Sequence, residues 1–291
     1  MKRVLAIDLG GTNLRSAVYA GDLLAMEMAS REPAPASLDA FVARIRALSD
    51  AAGGIEALGI AIPGLAEGTI CRWVPNLSYL DGVDLEALFP GLTIALGNDA
   101  QIALLAEAAE GAARGVSDAI LLAIGTGIGS AVLANGRIVA GAHGGACSFG
   151  WACSDIDDAG DARSGWLERV ALGRAFDDLA GRIGLASGAD LIAAARAGDG
   201  AALGLLEEPA RRLGTALAGA VGLLDPGVIL VSGGLADALD MIAPLLLAAM
   251  RRQLPPHLRG IELKPGAFGS RAGLIGAALA GRAGEHWRRI R

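Results

Sequence analysis

The sequence predicts an α/β protein built as two related domains, each a mixed sheet flanked by helices, and three observations carry that prediction. Apolar runs of strand length alternate with longer Ala/Leu-rich runs of helical period, as α/β layering requires. The opening runs follow one another through short turns, so each sheet must contain antiparallel as well as parallel pairs. The halves also repeat each other. GGTNLRSAVYAGD from Gly10 and IGTGIGSAVLANG from Ile124 share Gly-Thr followed by Ser-Ala-Val, and IPGLAE from Ile62 is echoed by SGGLAD from Ser232. Two echoes in the same order, both at strand-to-turn junctions, point to a duplicated domain. They would set two glycine turns facing each other across a cleft.

Taken in order, residues 3–28 give three strand-like runs and 37–50 a helix. Residues 56–62 and 93–97 read as strands, and 99–113 as an Ala/Leu-rich helix. Around 114–118 the pattern restarts. Residues 119–124 and 128–133 read as strands, 166–182, 186–197 and 201–224 as helices, and 227–232 as a strand. A helix at 239–253, a strand at 260–264 and a final helix from about 272 complete the chain.

Composition narrows the function. Hydrophobic residues make up 53% of the 291 and charged residues 19%, enough apolar surface for full cores and against disorder. The net charge of −6 comes without a basic stripe, which argues against nucleic acid as the main partner. Neither a signal peptide nor a membrane-spanning run is read from the sequence, so a cytoplasmic location and no membrane partner are expected. Cys71, Cys147 and Cys153 have neither metal-like nor disulfide-framework spacing.

Three constellations carry chemistry. In AIDLGGTNLR (residues 6–15) a strand ends near Asp8, and the Gly10-Gly11-Thr12 turn, running into Asn13, offers N–H groups and a hydroxyl to phosphate oxygens. Asp8 suits Mg²⁺, directly or through water. The competing explanation is a plain hairpin whose glycines serve only the turn. Gly125-Thr126-Gly127, within GTGIG, is the duplicate turn, with no acid in the place of Asp8. In LGND (residues 96–99) a strand meets a helix at Asn98-Asp99; Asp99 reads as an N-cap and equally as a general base that takes a proton from a hydroxyl.

On these segments, and on IAIPGLAEG, VPNL, GWLE, LDPGVILVSGG and the closing RAGLIGAAL, the chain resembles ROK-group sugar kinases almost end to end. The group takes its name from repressors, open reading frames and kinases, and the similarity is to the glucokinase, N-acetylhexosamine kinase and allose kinase type. That resemblance implies the actin/hexokinase-like ATPase fold, two RNase H-like domains with a cleft between them. Residues 1–112 with the last helix, 273–291, would form one domain and 113–272 the other. It implies ATP and Mg²⁺, with Gly233 and Gly234 near the adenosine and Asp99 as the catalytic aspartate. Gly64, Asn76, Asn98 and Glu168 would bind the sugar, although Asn76 also suits a turn cap and Glu168 a helix start. Repressors of the group carry a DNA-binding module before the first strand; this chain opens at that strand, so the kinase branch is expected. A homodimer is the expected assembly.

The pattern breaks at one place. The group usually has Glu-x-Gly-His where this chain has Ser148-Phe149-Gly150-Trp151, so Ser148 and Trp151 stand at two sugar-contacting positions. Its zinc run is also missing, and no structural zinc is expected. Trp151 and Trp166 are instead expected to pack together, His143 to lie near the site, and the acidic loop 155–163 to be a solvated connection. The leading expectation is a hexose or hexose-derivative kinase. The alternative is a sugar-sensing regulator that kept the fold and lost turnover, and an acid kinase is disfavoured because Arg15, Arg72 and Arg163 form no evident cluster.

Overall fold

The computed structural model describes residues 2–290 apart from Leu24, Thr126, Cys147, Leu172 and Gly173, and apart from the side chains of Arg174 and Asp237. The chain divides into two compact units, Met1–Gly115 with Gly136–Ala146 and Ser270–Arg291, and Val116–Asn135 with Cys147–Gly269.

The first unit is organised by β1 (Val4–Leu9), whose residues Val4, Leu5, Ala6 and Ile7 are fully buried. A run apolar on both faces is what a central strand with both faces covered requires. β2 (Asn13–Tyr19) returns antiparallel beside it and β3 (Glu27–Pro33) pairs with β2. After α1 (Leu38–Ala51), capped by the Ser37 hydroxyl, β4 (Ala57–Ile62) joins β1 in parallel. A small hairpin, β5 (Leu65–Glu67) and β6 (Ile70–Trp73), and the short α2 (Leu85–Leu88) precede β7 (Thr93–Asn98), parallel to β4. The resulting order is β3-β2-β1-β4-β7. α3 (Asp99–Glu110) follows β7 directly.

In the second unit β8 (Ala119–Ile124) and β9 (Ile128–Ala134) form an antiparallel hairpin. The two-residue β10 (Arg137–Ile138) groups with the first unit, because Ile138 N–H donates to Arg288 O, Ile290 N–H to Gly136 O and Gln101 Nε2 to Val139 O. Sequence reading placed that segment in the other domain; the hydrogen bonds that hold it come from residues far away in the chain. α4 (Trp166–Val170), α5 (Arg174–Arg182), α6 (Gly188–Arg196) and the long α7 (Gly200–Leu224) then lead to β11 (Val228–Ser232), parallel to β8. α8 (Leu239–Gln253) packs along α7, and β12 (Leu263–Pro265) runs parallel to β11. The strands of this unit run β9-β8-β11-β12, the order and sense of β2-β1-β4-β7. The first hairpin closes through residues 10–12, and in the second β8 ends at Ile124 and β9 begins at Ile128. The duplication read from the two echoes is therefore a duplication of sheet topology.

Several elements differ from the sequence expectation. The third strand runs to residue 33 rather than ending at 28, because EMASREP is a polar, mostly exposed edge with no apolar alternation to mark it. The expected helix 166–182 is two helices, and β5, β6, β10 and α2 are too short to leave a periodic signal. Among the described residues no helix is long and apolar enough to cross a membrane.

α9 (Ala272–Ala283) closes the first unit by packing on β1 and β4 and against α3. The approach is backbone to backbone: a Cβ on Gly59 would lie 1.9 Å from Ala277 O, and one on Gly276 would lie 1.9 Å from Ile102 O. Neither neighbour is the movable end of a side chain. Gly276→Ala should therefore destabilise the protein by about 1–3 kcal/mol despite the better helix propensity of Ala. Gly219→Ala, in α7 with nothing within 4 Å of the added carbon, should stabilise it by up to about 1 kcal/mol. Urea midpoints of the two variants should move in opposite directions.

Candidate active site

The functional residues of the first unit gather where three parallel strands end. β1, β4 and β7 run side by side with Asp8 opposite Ala61 and Ile62 opposite Asn98. Their carboxyl ends thus bring Asp8, Gly64 and the Asn98-Asp99 pair to one edge of the sheet, the edge at which open α/β sheets bind ligands.

Asp8 is half-buried and ion-paired with Arg15, Nη1 to Oδ2 at 3.3 Å; the same guanidinium nitrogen donates to Ser270 O at 3.0 Å. The first turn of α9 lies on the carboxyl group, so that a Cβ on Gly273 would fall 2.7 Å from Asp8 Cγ. Burial raises the Asp8 pKa, and the Arg15 charge and hydrogen bond oppose the rise. The adjoining turn is closed by Gly10 N–H donating to Asn13 O at 2.8 Å, while Asn13 Oδ1 accepts from Arg31 Nε at 3.3 Å. Asn76 packs directly on this turn: a Cβ on Gly11 would lie 2.8 Å from Asn76 Cβ. The turn can accept no side chain there without displacing Asn76.

At the end of β7 the cap differs from the sequence expectation. Asn98, not Asp99, is the N-cap of α3, and its Oδ1 accepts Ala100 N–H at 3.0 Å. Its Nδ2 donates to Gly64 O at 3.2 Å, which fixes the loop after β4. Asp99 is the first residue of the helix and accepts Ala100 N–H at 2.7 Å through Oδ1. The two side chains share the Ala100 N–H, one that the helix itself leaves unpaired. Burial, reinforced by the negative charge of Asp8, pushes the Asp99 pKa up to about 6, against the lowering effect of the Ala100 N–H. A carboxylate so tuned can exchange a proton with a hydroxyl near neutral pH.

In the second unit the ends of β8 and β11 also meet. Gly233, at φ 80°, comes so close that a Cβ would lie 2.3 Å from Ile124 O, so SGG touches the strand leading into the glycine turn. Gly125 N–H donates to Gly127 O at 3.0 Å. Thr126 lies outside the described residues, as does Cys147. Gly234 opens the 3₁₀ turn that follows β11. Glu168, the third residue of α4, reaches back with both oxygens: Oε1 accepts Ile128 N–H at 3.1 Å and Oε2 accepts Gly165 N–H at 3.3 Å. The residue expected to bind sugar is thus also the brace of the second glycine turn.

Ser148 precedes and Trp151 ends a 3₁₀ turn, Phe149–Trp151, in which Trp151 N–H donates to Ser148 O at 3.0 Å. Both are exposed, Trp151 at 48%, whereas Trp166 is 5% exposed and lies in the core with Arg212 over its ring at 5.6 Å. The two indoles thus differ in burial, while the turn that holds Trp151 packs on the start of α4, where a Cβ on Gly165 would lie 2.4 Å from Trp151 Cα. His143 is exposed and lies in the Gly136–Ala146 segment of the first unit. The acidic loop is not wholly solvated either, because Asp158 pairs with Arg169 of α4 at 2.8 Å. Sequence reading missed Ser130, a buried serine whose hydroxyl accepts Phe149 N–H at 3.1 Å. Its signal was the repeated Ser-Ala-Val, since Ser16 of the first copy is buried as well.

The donor sets discriminate between metals. Asp8 offers one hard carboxylate, which fits Mg²⁺ completed by water and nucleotide oxygens. Cys153 Sγ is engaged with the Asp155 backbone and Cys71 is buried in the other unit, while Cys147 lies outside the described residues. Among the described residues no group of three or more His, Cys, Asp or Glu side chains is placed to hold a metal.

Comparison with known proteins agrees with this architecture. The ROK family model matches residues 4–282. A bifunctional enzyme NanE/NanK of Brucella melitensis is 33% identical over 292 residues, covering 94% of this chain and 53% of the relative, so the chain spans about half the length of that protein. Kanosamine kinase of Amycolatopsis mediterranei is 31% identical with 95% of each covered. The crystal structure of a ROK family glucokinase from Streptomyces griseus, in complex with glucose and AMPPNP, superposes with a TM-score of 0.78 at 26% identity, covering 97% of this chain and 100% of that one. With its two sheets of like topology and the ROK pattern along almost its whole length, this chain belongs to the ROK family and has the actin-like ATPase fold of its sugar kinases.

Proposed function

We propose that this protein transfers the γ-phosphoryl group of ATP to a hydroxyl of a hexose or hexose derivative, with Asp99 as the general base. The observation that carries the reading is Asp99 itself. It is held beside Asn98 and Gly64 at the carboxyl edge of the first sheet, with a pKa pushed up to about 6. In this scheme Asp99 accepts the hydroxyl proton as the oxygen attacks phosphorus. Gly64, through its backbone, Asn76 and Asn98 hold substrate in the first unit, and Ser148, Trp151 and Glu168 recognise it in the second. Gly10, Gly11, Thr12 and Asn13 and, in the second unit, Gly125, Thr126 and Gly127 hold phosphates, with Gly233 and Gly234 near the nucleoside. Asp8 would hold Mg²⁺, which when bound neutralises charge on the phosphate oxygens. Zinc has no part in the scheme; elemental analysis should find well below one zinc per chain.

Asp99→Asn should lower kcat by roughly 10²–10⁴-fold while leaving the fold intact, because the capping of α3 rests on Asn98. A variant with near-normal turnover would remove Asp99 from the mechanism.

The raised pKa also predicts pH dependence. Asp99 must be ionised to accept a proton, so kcat/KM should fall as the pH drops through about 6. Burial is the largest cause of this value; the Ala100 N–H lowers it and the charge of Asp8 raises it. For stability the sign is opposite. Between 3.8 and about 6 the folded chain binds more protons at this site than the unfolded one, so its contribution to stability declines as pH rises through that window. Asp99→Asn should flatten that decline in pH-dependent urea titrations.

Ser148 and Trp151 set specificity in this scheme. Where a carboxylate and an imidazole would each bond a sugar hydroxyl, an unpartnered hydroxyl costs about 1–3 kcal/mol. Glucose should therefore be a poor substrate, weaker by roughly ten- to a hundredfold per lost contact, with deoxy or N-acetyl hexoses preferred at the apolar indole. The same loss is what favours a sugar-sensing regulator as the second reading. Comparing kcat/KM across hexoses for wild type and for Ser148→Glu with Trp151→His decides. A wild type that already prefers glucose removes the specificity assignment, and one with no turnover on any hexose favours the regulator.

A further inference from the structure

The second glycine turn has no acid of its own in the position that Asp8 occupies beside the first, yet a carboxylate reaches it from another element. Glu168 Oε1 accepts Ile128 N–H at 3.1 Å, immediately after the turn, and Oε2 accepts Gly165 N–H at 3.3 Å at the start of α4. The fit is tight on both sides. A Cβ on Gly127 would lie 3.0 Å from Glu168 Oε1, and one on Gly150 would lie 2.7 Å from Glu168 Cγ. Gly165 in turn packs on the Gly150 carbonyl, where a Cβ would stand 2.1 Å away. A second tie runs in parallel, from Phe149 N–H to the buried Ser130 hydroxyl on β9 at 3.1 Å.

Resting on the kinase reading above, we propose that Glu168 is a positioning residue for the nucleotide. With Ser130, its carboxylate locks the phosphate turn at residues 125–128 to the Phe149–Trp151 turn, so that the substrate-facing segment and the phosphate turn hold each other in shape. The physical basis is charge-assisted hydrogen bonding, which is stronger than its neutral counterpart and directional. A turn meant to offer N–H groups to phosphate gains affinity when its backbone is already fixed, because less ordering remains to be done on binding. Ionised Glu168 can accept both N–H groups at once. A glutamine can accept only one and presents its NH₂ to the other. Any sugar hydroxyl that reaches Glu168 then bears on a group that also fixes the phosphate turn, which couples the affinities for sugar and nucleotide reciprocally.

The test uses the full-length protein and the variants Glu168→Gln and Ser130→Ala, with AMPPNP as the probe. In calorimetry without sugar, both variants should bind AMPPNP about 3- to 10-fold more weakly than wild type, and amide hydrogen exchange in residues 125–130 should speed up. Ser130→Ala keeps the Glu168 carboxylate, so it separates the tie from direct sugar contact and serves if Glu168→Gln folds poorly. Unchanged AMPPNP affinity with only the sugar KM raised would overturn the proposal and leave Glu168 as a sugar ligand alone. Failure of wild type to bind AMPPNP would instead bring down the kinase reading. In that case exchange at Ile128 judges the tie, and protection unaltered by Glu168→Gln overturns it.

Discussion

The first unit depends on the direct contact of α9 with the backbone of β1, β4 and α3. Gly59 and Gly276 remove the side chains that would hold the helix away, and Gly273 sets its first turn on the Asp8 carboxyl group. Three consequences follow from that one contact. Asp8 is partly shut off from water and needs Arg15 as its counter-charge, and Arg15 is aimed by its bond to Ser270 just before α9. Burial and the charge of Asp8 together raise Asp99 into the range where a carboxylate works as a base. The chain end is also tied to its beginning, since these helix contacts link residues about 170–265 positions apart.

The two units use one topology to support two differently built turns. In the first, the acid lies on the strand that leads into the turn and is balanced by a cation, which suits a group that must face a metal or phosphate. In the second, the acid comes from α4; one oxygen accepts the Ile128 N–H just after the turn and the other accepts the Gly165 N–H at the start of α4. A duplicated sheet preserves where the turn lies. It does not preserve how the turn is held, because that depends on α4, one of several helices between β9 and β11 where the first unit has α1 between β2 and β4. Ser148 and Trp151 lie on either side of Phe149 and Gly150, and Gly150 packs against Glu168.

Much of this was legible along the chain. Central strands such as VLAIDL and ALGIAI announce themselves because both faces are buried, and the glycine turns do so because a backbone reversal between two apolar strands admits few residue types. The Gly-Thr and Ser-Ala-Val echoes foretold a repeated topology, and LGND foretold a strand-to-helix junction with polar residues at its tip. The sequence by itself therefore determined the alternation of elements, the duplication and the cluster of Asp8, Asn98 and Asp99 at strand ends, since each of these is a local property of period, turn chemistry or capping. Tertiary structure alone decided the rest. Whether Asn98 or Asp99 caps α3 turned on which side chain could also reach Gly64 and which was crowded by burial and by Asp8. The fate of Trp151 and Trp166 turned on which indole the core of the second unit had room for. The assignment of residues 136–146 to the first unit, and the second use of Glu168, depend on partners 38 to 154 residues away, and no local pattern encodes a contact whose other half lies so far along the chain.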